Sequence, residues 1–340
     1  MKIPFIKVTI PDMNYFNELF LKSIDAGHYT NFGPNEKVLR NLLEQKIGYP
    51  TICTANATLI LDGLHHILSD LCTKAYLPSF TFPATNLGCR VPYELVSPNI
   101  SGEMIGFSTP NIINSKESSY VITTAPFGSA RPKNLTRPNT SFWIIDNAAG
   151  TSPDMEKVKD WLDAGADAVI CSLHATKILN GCEGGFVAFN NKTLQESYQR
   201  YISFGFYFEE GIKKAGDIGS NHKMSELTAA YVLMYYEKLF AKEYNGREVL
   251  ANAYRDFCKS NNIEYIYSPQ AFWIKCQKDA IEVEKELLAL GVETKPYYLP
   301  LFGTVDTNAK ILSKHGLCLP TWLMTEEEIK FTLEQLNKVL

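Results

Sequence analysis

The sequence predicts an α/β protein with a large, mostly parallel central sheet sandwiched by helices. Between residues 50 and 185, short apolar segments alternate with segments of helical or loop character, which is the pattern of successive βαβ units. A length of 340 residues exceeds the usual size of one hydrophobic core. We therefore predict a large domain with an N-terminal arm at 1–235 and a smaller C-terminal α+β domain at 236–340.

Five strands are predicted in the large domain, and a chemically suggestive residue follows each of them. The strands are placed at residues 51–54, 75–77, 120–124, 141–145 and 168–173. The residues that follow are, in the same order, Asn56-Ala57-Thr58, Phe82, Phe127-Gly128, Asp146 and Lys177. Because open α/β sheets bind ligands at the carboxyl ends of their strands, this order predicts one site along one edge of the sheet.

Helices and one further strand are predicted in the second half of the chain. Asp279 should cap a helix that ends at Gly291, and a strand should follow at 292–299. A helix is expected between 225 and 241, with Leu227, Ala230, Tyr231 and Met234 on one face, and it should lead toward the second domain. Thr325 and Glu328 form a capping box for a final helix, whose predicted buried stripe is Ile329, Leu333, Leu336 and Leu340.

Composition and charge exclude several classes of partner. The net charge of −4 shows no basic stripe, so no nucleic-acid partner is expected. Residues 1–8 lack the apolar core of a signal peptide, and no apolar run reaches membrane-spanning length, so the expected location is the cytoplasm, away from membranes. The eight cysteines form no CxxC pair, which favours free thiols and argues against a metal site.

The segment from Ser172 to Gly185 carries the most information about function. It places Lys177 just past a buried strand and follows it with a glycine-rich return. A lysine held at that edge can form a Schiff base with a carbonyl group. Taken alone, Lys177 is better explained as a surface lysine that follows a strand.

Six segments, spread over nearly the whole chain, resemble the DegT/DnrJ/EryC1/StrS family of nucleotide-sugar aminotransferases. That resemblance implies pyridoxal 5′-phosphate as the cofactor and the aspartate-aminotransferase fold, known as fold type I. It also implies a homodimer with shared active sites. The segments are 29–34 (YTNFGP), 56–58 (NAT), 78–82 (PSFTF), 146–149 (DNAA), 172–185 (SLHATKILNGCEGG) and 219–226 (GSNHKMSE).

The resemblance assigns the reacting part of the cofactor to three residues. Lys177 matches the Schiff-base lysine, which also moves protons between cofactor and substrate. Asp146 matches the carboxylate that keeps the pyridine nitrogen protonated, although an aspartate after a strand also commonly caps a turn. Phe82 matches the aromatic residue that stacks on the cofactor ring, with ordinary core packing as the alternative.

Four other residues match contacts to the cofactor phosphate. Ala57 and Thr58 lie at a predicted helix start, where free backbone N–H groups suit a phosphate, while simple capping of the helix is the alternative. Ser172 adds a hydroxyl, unless it bonds to its own backbone. Asn221 matches the residue that reaches the phosphate of the neighbouring subunit, or else it is a turn residue.

The chain departs mildly from the family pattern at Ala57, where glycine is common, and more clearly at three further positions. Ala149 stands where histidine or glutamine is common, so a polar contact is missing or replaced. Lys295 and Phe302 stand where arginine and histidine are common. The resemblance places Lys295 and Tyr298 on the substrate side, and because lysine lacks the planar fork of arginine, substrate recognition should differ.

The expected activity is transfer of an amino group from L-glutamate to a nucleotide-linked keto sugar, a 4-keto-6-deoxyhexose, for surface polysaccharides such as O-antigen. Alternatives on the same fold are a 3-keto-sugar aminotransferase, a sugar dehydratase and a noncatalytic scaffold. The dehydratases replace the lysine with histidine, so Lys177 argues against that alternative. A dinucleotide-dependent oxidoreductase is disfavoured because 181–185 (GCEGG) is not GxGxxG and follows the lysine.

Overall fold

The computed structural model describes residues 1–110, 117–216, 218–301, 303 and 305–340. The α-helices in this part of the chain are α1 Met13–Asp25, α2 Pro34–Ile47, α3 Ala57–Leu71, α4 Ala84–Leu87, α5 Glu156–Asp163, α6 Lys192–Tyr201, α7 Glu226–Tyr235, α8 Ala241–Ser260, α9 Ala280–Ala289, α10 Thr307–His315 and α11 Glu326–Val339. The strands are β1 Thr51–Thr54, β2 Lys74–Pro78, β3 Tyr93–Val96, β4 Ser119–Thr124, β5 Phe142–Asp146, β6 Ala168–Ser172, β7 Gly185–Phe189, β8 Tyr207–Glu209, β9 Ile212–Lys214, β10 Tyr265–Ile266, β11 Trp273–Lys275, β12 Lys295–Pro296 and β13 Gly316–Cys318.

A seven-stranded sheet forms the centre of the large unit. Its order is β1-β7-β6-β5-β4-β2-β3, and β7 is the one strand that runs antiparallel to its neighbours. The carboxyl ends of β1, β2, β4, β5 and β6 therefore meet at one edge, as the sequence predicts. The register at that edge pairs Thr124 with Asp146 and Ser172 with Gly185.

Helices cover both faces of this sheet, which explains why its inner strands are continuous apolar runs. On β5, Ile144 packs into a core shared with α3 and α6. The next residue, Ile145, packs into the opposite core with α2, α5 and α7. Each inner strand is thus fixed from two sides, and the edge of the sheet becomes a rigid support for side chains.

A four-stranded antiparallel sheet of order β10-β11-β13-β12 forms the smaller unit, and its core includes residues of α8, α9 and α11. A separate aromatic cluster joins this sheet to the large unit, with Phe80 and Phe127 contacting Trp273. A turn of π-helix, Tyr236–Phe240, links α7 to α8. The predicted domain boundary between 235 and 236 falls at this turn and stays a prediction.

The N-terminal arm packs on the smaller unit. Ile3 pairs with the chain around Val292, donating its N–H to Gly291 O at 2.8 Å and accepting from Glu293 N at 2.9 Å. The indole N–H of Trp322 donates to Pro4 O at 2.8 Å. The first residues of the chain are therefore held beside the cavity described below.

The structure confirms the five predicted strands of the large sheet to within a residue or two at each end. The caps at Asp279 and Thr325 are also present, and Thr325 and Glu328 form both hydrogen bonds of the capping box. The structure confirms the architecture of the predicted fold class, with an α/β large unit whose mostly parallel sheet lies between helices and a smaller α+β unit.

Three details of the prediction are wrong. The helix expected at 225–241 is present from Glu226, but it does not end at 241, because the chain continues through the π segment into α8 and ends at Ser260; Leu227 is 50% exposed, while Ala230 and Met234 of the same predicted face are buried. Within the strand expected at 292–299, Val292 forms a bridge with Ile3 and Lys295–Pro296 pairs with β13, so the expected strand is two short pieces. Of the stripe predicted for α11, Leu336 is buried and Ile329 and Leu333 pack against the same core, but Leu340 is exposed.

In the described part of the chain, no helix combines the length and the apolar character needed to cross a membrane. All eight cysteines are free thiols, and six of them are buried.

Candidate active site

A cavity of about 770 Å³ opens at the carboxyl edge of the large sheet. Its volume lies in the range of small-molecule sites. Its walls come from the strand ends, the N-terminal arm and the smaller unit. Among the lining residues are Lys7, Ala57, Thr58, Phe82, Phe127, Asp146, Ala149, Ser172, Lys177, Arg247, Gln270, Tyr298 and Trp322.

Lys177 stands on a tight loop after β6. Its backbone N–H donates to His174 O at 2.8 Å, and Gly181 N–H closes the loop by donating to Leu173 O at 2.7 Å. The loop is also held from the smaller unit. Gln270 Oε1 accepts from Ile178 N at 2.6 Å, and Gln270 Nε2 donates to Thr176 O at 2.8 Å. Because Gln270 bonds to both neighbours of Lys177, it fixes the direction in which that side chain leaves the backbone.

Asp146 is buried at the end of β5 and is supported by hydroxyl groups. Its Oδ2 accepts from Thr85 Oγ1 at 2.6 Å, and its Oδ1 accepts from Ala148 N at 3.2 Å. Behind Thr85, the hydroxyls of Thr81 and Thr124 continue the chain at 2.7 Å each. The carboxylate therefore caps a local turn, which was the alternative considered for Asp146 from the sequence. It also faces the cavity in a fixed orientation.

The two charged groups at the cavity centre have opposite pKa shifts. Burial raises the pKa of Asp146, although the Thr85 and Ala148 hydrogen bonds and the charge of Lys177 counteract part of this effect. Burial lowers the pKa of Lys177, with the charge of Asp146 opposing the shift. Asp146 thus favours a positively charged partner, and a larger fraction of Lys177 is the nucleophilic neutral amine.

The N-terminus of α3 forms another wall of the cavity. Asn56 Oδ1 caps this helix by accepting from Leu59 N at 2.8 Å, which leaves Thr58 exposed and available to a ligand. Gly185 of β7 permits the close approach, because a Cβ there would lie 2.7 Å from Ala57 N. Ser172 also lines the cavity, and its Oγ accepts from His174 N at 3.2 Å, so it bonds to its own backbone as well.

Aromatic residues lie on two sides of the cavity. Phe82 is 56% exposed and lines the cavity, so the core-packing alternative is wrong for this ring. On another side, the rings of Tyr298 and Phe127 stack at 4.5 Å, and Phe127 N–H donates to the phenolic oxygen, Tyr298 Oη, at 3.3 Å. Tyr298 thus holds the strand-end residue Phe127 in place while facing the cavity.

The structure does not bring every predicted residue into this cavity. Asn221 is exposed and outside the lining, which is compatible with the role in a neighbouring subunit that the resemblance implies. Lys295 Nζ pairs with Glu284 at 3.2 Å, outside the lining. Ala149 lines the cavity with a methyl group, and Phe302 lies outside the described residues.

One motif residue has a structural role that the sequence did not indicate. Glu226 is fully buried and caps α2, accepting from the N–H groups of Gly33, Asn35 and Glu36 at 2.8 to 3.0 Å. Its Oε2 also accepts from Ser23 Oγ at 2.6 Å. The motifs at 29–34 and 219–226 therefore contact each other, and together they anchor the first helices to α7.

Sequence reasoning missed three residues of the site: Arg247 and Gln270, which line the cavity, and Thr85, which supports Asp146 from outside the lining. Arg247 lies on α8 and is 6% exposed, although it lines the cavity. Gln270 and Arg247 stand outside any recognisable motif, so only tertiary packing identifies them. Thr85 follows Phe82 by three residues, and its hydroxyl on the short helix α4 was the one feature of the sequence that could have pointed to it.

Pyridoxal 5′-phosphate fits the donors of this cavity. A buried carboxylate whose charged form is disfavoured suits a protonated pyridine nitrogen, and a buried amine suits the cofactor aldehyde. The α3 N-terminus, Thr58 and Ser172 offer N–H and O–H donors for the phosphate. The residues present therefore match each end of the cofactor.

Three known proteins, two matched by sequence and one by structure, resemble different shares of this chain. Protein Rv3402c of Mycobacterium tuberculosis H37Rv is 28% identical over 270 residues, which are 73% of this chain and 63% of that protein. This chain thus spans less than two thirds of the length of the first curated relatives it matches. A dTDP-4-amino-4,6-dideoxy-D-glucose transaminase of Shigella dysenteriae is 40% identical over 73 residues, 22% of this chain and 19% of that protein.

The fold has close counterparts among solved structures. NtdA from Bacillus subtilis, solved with the bound cofactor PMP, superposes with a TM-score of 0.81 at 20% identity, covering 99% of this chain and 85% of that chain. The model of the DegT/DnrJ/EryC1/StrS aminotransferase family matches residues 148–336. This match includes Lys177 and its motif, and it extends through the smaller unit to α11. The chain belongs to the DegT/DnrJ/EryC1/StrS aminotransferase family.

Proposed function

We propose that this protein is a pyridoxal-phosphate-dependent aminotransferase that moves the amino group of L-glutamate to a nucleotide-linked keto sugar. The observation that carries the proposal is the presence of Lys177 and Asp146 in one cavity, with pKa shifts in opposite directions. In the overall reaction, glutamate becomes 2-oxoglutarate and the sugar ketone becomes an amine, so no further oxidant or reductant is required.

The bound cofactor would supply an electron-withdrawing ring and a carbonyl carbon that carries nitrogen between the two substrates. Asp146 would hold the pyridine nitrogen protonated, which maintains the electron demand of the ring. Lys177 Nζ would anchor the cofactor and, once released, take a proton from the donor α-carbon. The fixed loop around Lys177 supports this role, because proton transfer requires the amine to return to one position.

The sugar is proposed to be a dTDP-linked 4-keto-6-deoxyhexose. The 73-residue match to the Shigella dysenteriae dTDP-4-amino-4,6-dideoxy-D-glucose transaminase supports this carrier and this carbon. The aromatic side chains of Phe82 and Tyr298 offer apolar surface for a deoxysugar. The 3-keto isomer is the nearest alternative, and the cytoplasmic location and the O-antigen pathway stay predictions.

We also propose that the active unit is a homodimer. An exposed hairpin patch consists of Phe204, Phe206, Phe208, Ile212 and Ile218, and such a patch is typical of an interface. Asn221 pairs in the backbone with Ser203, directly beside this patch. A second copy covering the hairpin patch would place Asn221 near the cavity of its partner.

A reduction experiment tests the assignment of Lys177. The protein is loaded with pyridoxal phosphate, reduced with borohydride and digested, and mass spectrometry locates the added mass. We expect the cofactor on Lys177 in the wild type and at no stoichiometric position in Lys177→Ala. The control is Lys192→Ala, which changes an exposed lysine on α6 and should label as the wild type does.

A second experiment separates the candidate activities. Wild-type protein with glutamate alone should release 2-oxoglutarate once per active subunit, and continued release should require the keto sugar. Incorporation of glutamate nitrogen into the sugar at C4 supports the proposal, and incorporation at C3 identifies the isomer. Loss of a sugar hydroxyl without nitrogen transfer would identify a dehydratase, while cofactor binding without any glutamate reaction would identify a scaffold.

A further inference from the structure

Arg247 is a buried cation whose charge is only partly satisfied by the protein. Its side chain leaves α8, and its Nε donates to Glu243 Oε2 at 3.1 Å within the same helix. Glu243 is itself 1% exposed and also accepts from the hydroxyl of Thr9. Both carboxylate oxygens of Glu243 therefore already accept hydrogen bonds from the protein.

The other end of the guanidinium is open. Among the described residues, none accepts a hydrogen bond from either Nη atom of Arg247. Arg247 lines the cavity of about 770 Å³, and its Nη atoms are not among the sealed polar atoms of the interior. Because a buried guanidinium with unused N–H groups is costly, these donors suit an anion that enters the cavity.

A second cation lies in the same cavity. Lys7 of the N-terminal arm lines it, with Nζ 4.4 Å from the centre of the Trp322 ring. Thr9, two residues further along the arm, donates to the carboxylate that holds Arg247. The described residues that line the cavity thus include three cations, Lys7, Lys177 and Arg247, and two carboxylates, Asp146 and Glu183.

We propose that Arg247, in the cavity that Lys7 also lines, binds a carboxylate of the amino-acid donor. The shared chemistry of this subsite is that of an anion, which a donor carboxylate or a nucleotide diphosphate could supply. Because Glu243 already offsets the charge of Arg247, this side of the cavity matches one carboxylate better than the two or more charges of a diphosphate. The two Nη groups of Arg247 present parallel donors to such a planar anion. This inference rests on the proposed aminotransferase function.

Binding measurements on the cofactor-loaded protein test the subsite. Isothermal titration uses glutarate, a dicarboxylate that cannot exchange an amino group, and thymidine diphosphate as the second probe. The variants are Arg247→Lys, which keeps the charge but loses the fork, and Arg247→Met combined with Glu243→Gln, which removes both buried charges. The matched control is Arg255→Lys, which lies on the same helix but pairs with Asp256 away from the cavity.

We expect glutarate to bind roughly tenfold to a hundredfold more weakly to both Arg247 variants than to the wild type. Its affinity for Arg255→Lys should equal that of the wild type, and thymidine diphosphate should bind all four proteins alike. Thermal unfolding of the double variant verifies that the protein is folded.

Unchanged glutarate affinity in the folded double variant would overturn the proposal. A loss of thymidine diphosphate affinity with glutarate unaffected would also overturn it and assign the subsite to the nucleotide. The result stands apart from the proposed function, since glutarate binding requires no amino transfer. Failure of the wild type to release 2-oxoglutarate would reject the function without deciding where glutarate binds.

Discussion

The cavity centre combines two residues whose preferred charge states are opposed by burial. The pKa of Asp146 is raised in the folded state. Between its unfolded value of about 3.9 and that raised value, the folded state binds more protons than the unfolded state, so stability falls as the pH rises. Lys177 has a lowered folded-state pKa, so between that value and about 10.4 the unfolded state binds more protons, and stability rises with pH. Each group is thus destabilising in its charged form until a ligand pairs with it.

Replacing Asp146 by asparagine should therefore change stability and cofactor affinity in opposite directions. In the cofactor-free protein, urea unfolding at a series of pH values should show a smaller loss of stability above pH 4 than in the wild type. The affinity for pyridoxal phosphate should fall about tenfold to a hundredfold, because the charged partner of its ring nitrogen is lost. An unchanged pH profile together with unchanged affinity would contradict this account of Asp146.

Gln270 provides a test of how the loop positions Lys177. In Gln270→Glu the bond to Ile178 N remains possible, but the donor to Thr176 O is replaced by a repelling oxygen. We expect a loss of about 1–3 kcal/mol in unfolding free energy. The added negative charge should raise the pKa of Lys177 and move the optimum of amino transfer to higher pH.

The matched control for this prediction is Gln335→Glu. Gln335 is a buried amide on α11 whose Nε2 donates to Phe331 O, away from the cavity. This variant should be destabilised without any displacement of the pH optimum. If both variants keep the wild-type pH profile, Gln270 acts on stability alone.

At the scale of the elements, the contact between β7 and α3 determines the geometry of the phosphate end. In Gly185→Ala the new Cβ would meet Ala57 N at 2.7 Å and Asn56 C at 2.9 Å, so α3 must move outward. We expect weaker cofactor binding and a loss of about 1–3 kcal/mol in unfolding free energy. Val187→Ala on the same strand should lower stability without affecting cofactor affinity, which calorimetry with the cofactor would check.

The sequence could predict the elements whose pattern is local. Strands such as β5 are apolar on both faces and stand out as continuous runs. The edge strand β3 was missed because Tyr93 and Glu94 are exposed, and β7 was missed because it starts with Gly185 directly after the lysine motif. The length of the strand after α9 depended on its partner β13, which no local pattern reveals.

The same distinction applies to the site. Lys177 and Asp146 follow strands directly, so their common edge could be predicted from the order of elements. Gln270 contacts Ile178 across 92 residues of sequence, and Arg247 reaches the cavity only because α8 packs beside it. Such residues become recognisable only when both units are folded.

At the scale of the whole molecule, the proposed homodimer can be tested by mixing inactive variants. If Asn221 serves the partner cavity, Asn221→Ala and Lys177→Ala should each be inactive or nearly so. Unfolded and refolded together in equal amounts, half of the dimers would be mixed and would contain one intact site, which restores roughly a quarter of wild-type activity. No recovery, with dimers present in sedimentation, would place Asn221 in a purely structural role.

The pairing of the N-terminal arm with the smaller unit has a consequence for synthesis on the ribosome. Phe5 N–H donates to Glu293, 288 residues later in the chain, and Pro4 accepts from Trp322. At about 5–20 residues per second, roughly 15 to 60 s of translation separate the arm from these partners. A nascent chain stopped before residue 291 would therefore contain the lysine loop and the large sheet, but its N-terminal arm would lack the partners that hold it. The wall of the cavity that the arm forms would be the last one to assemble.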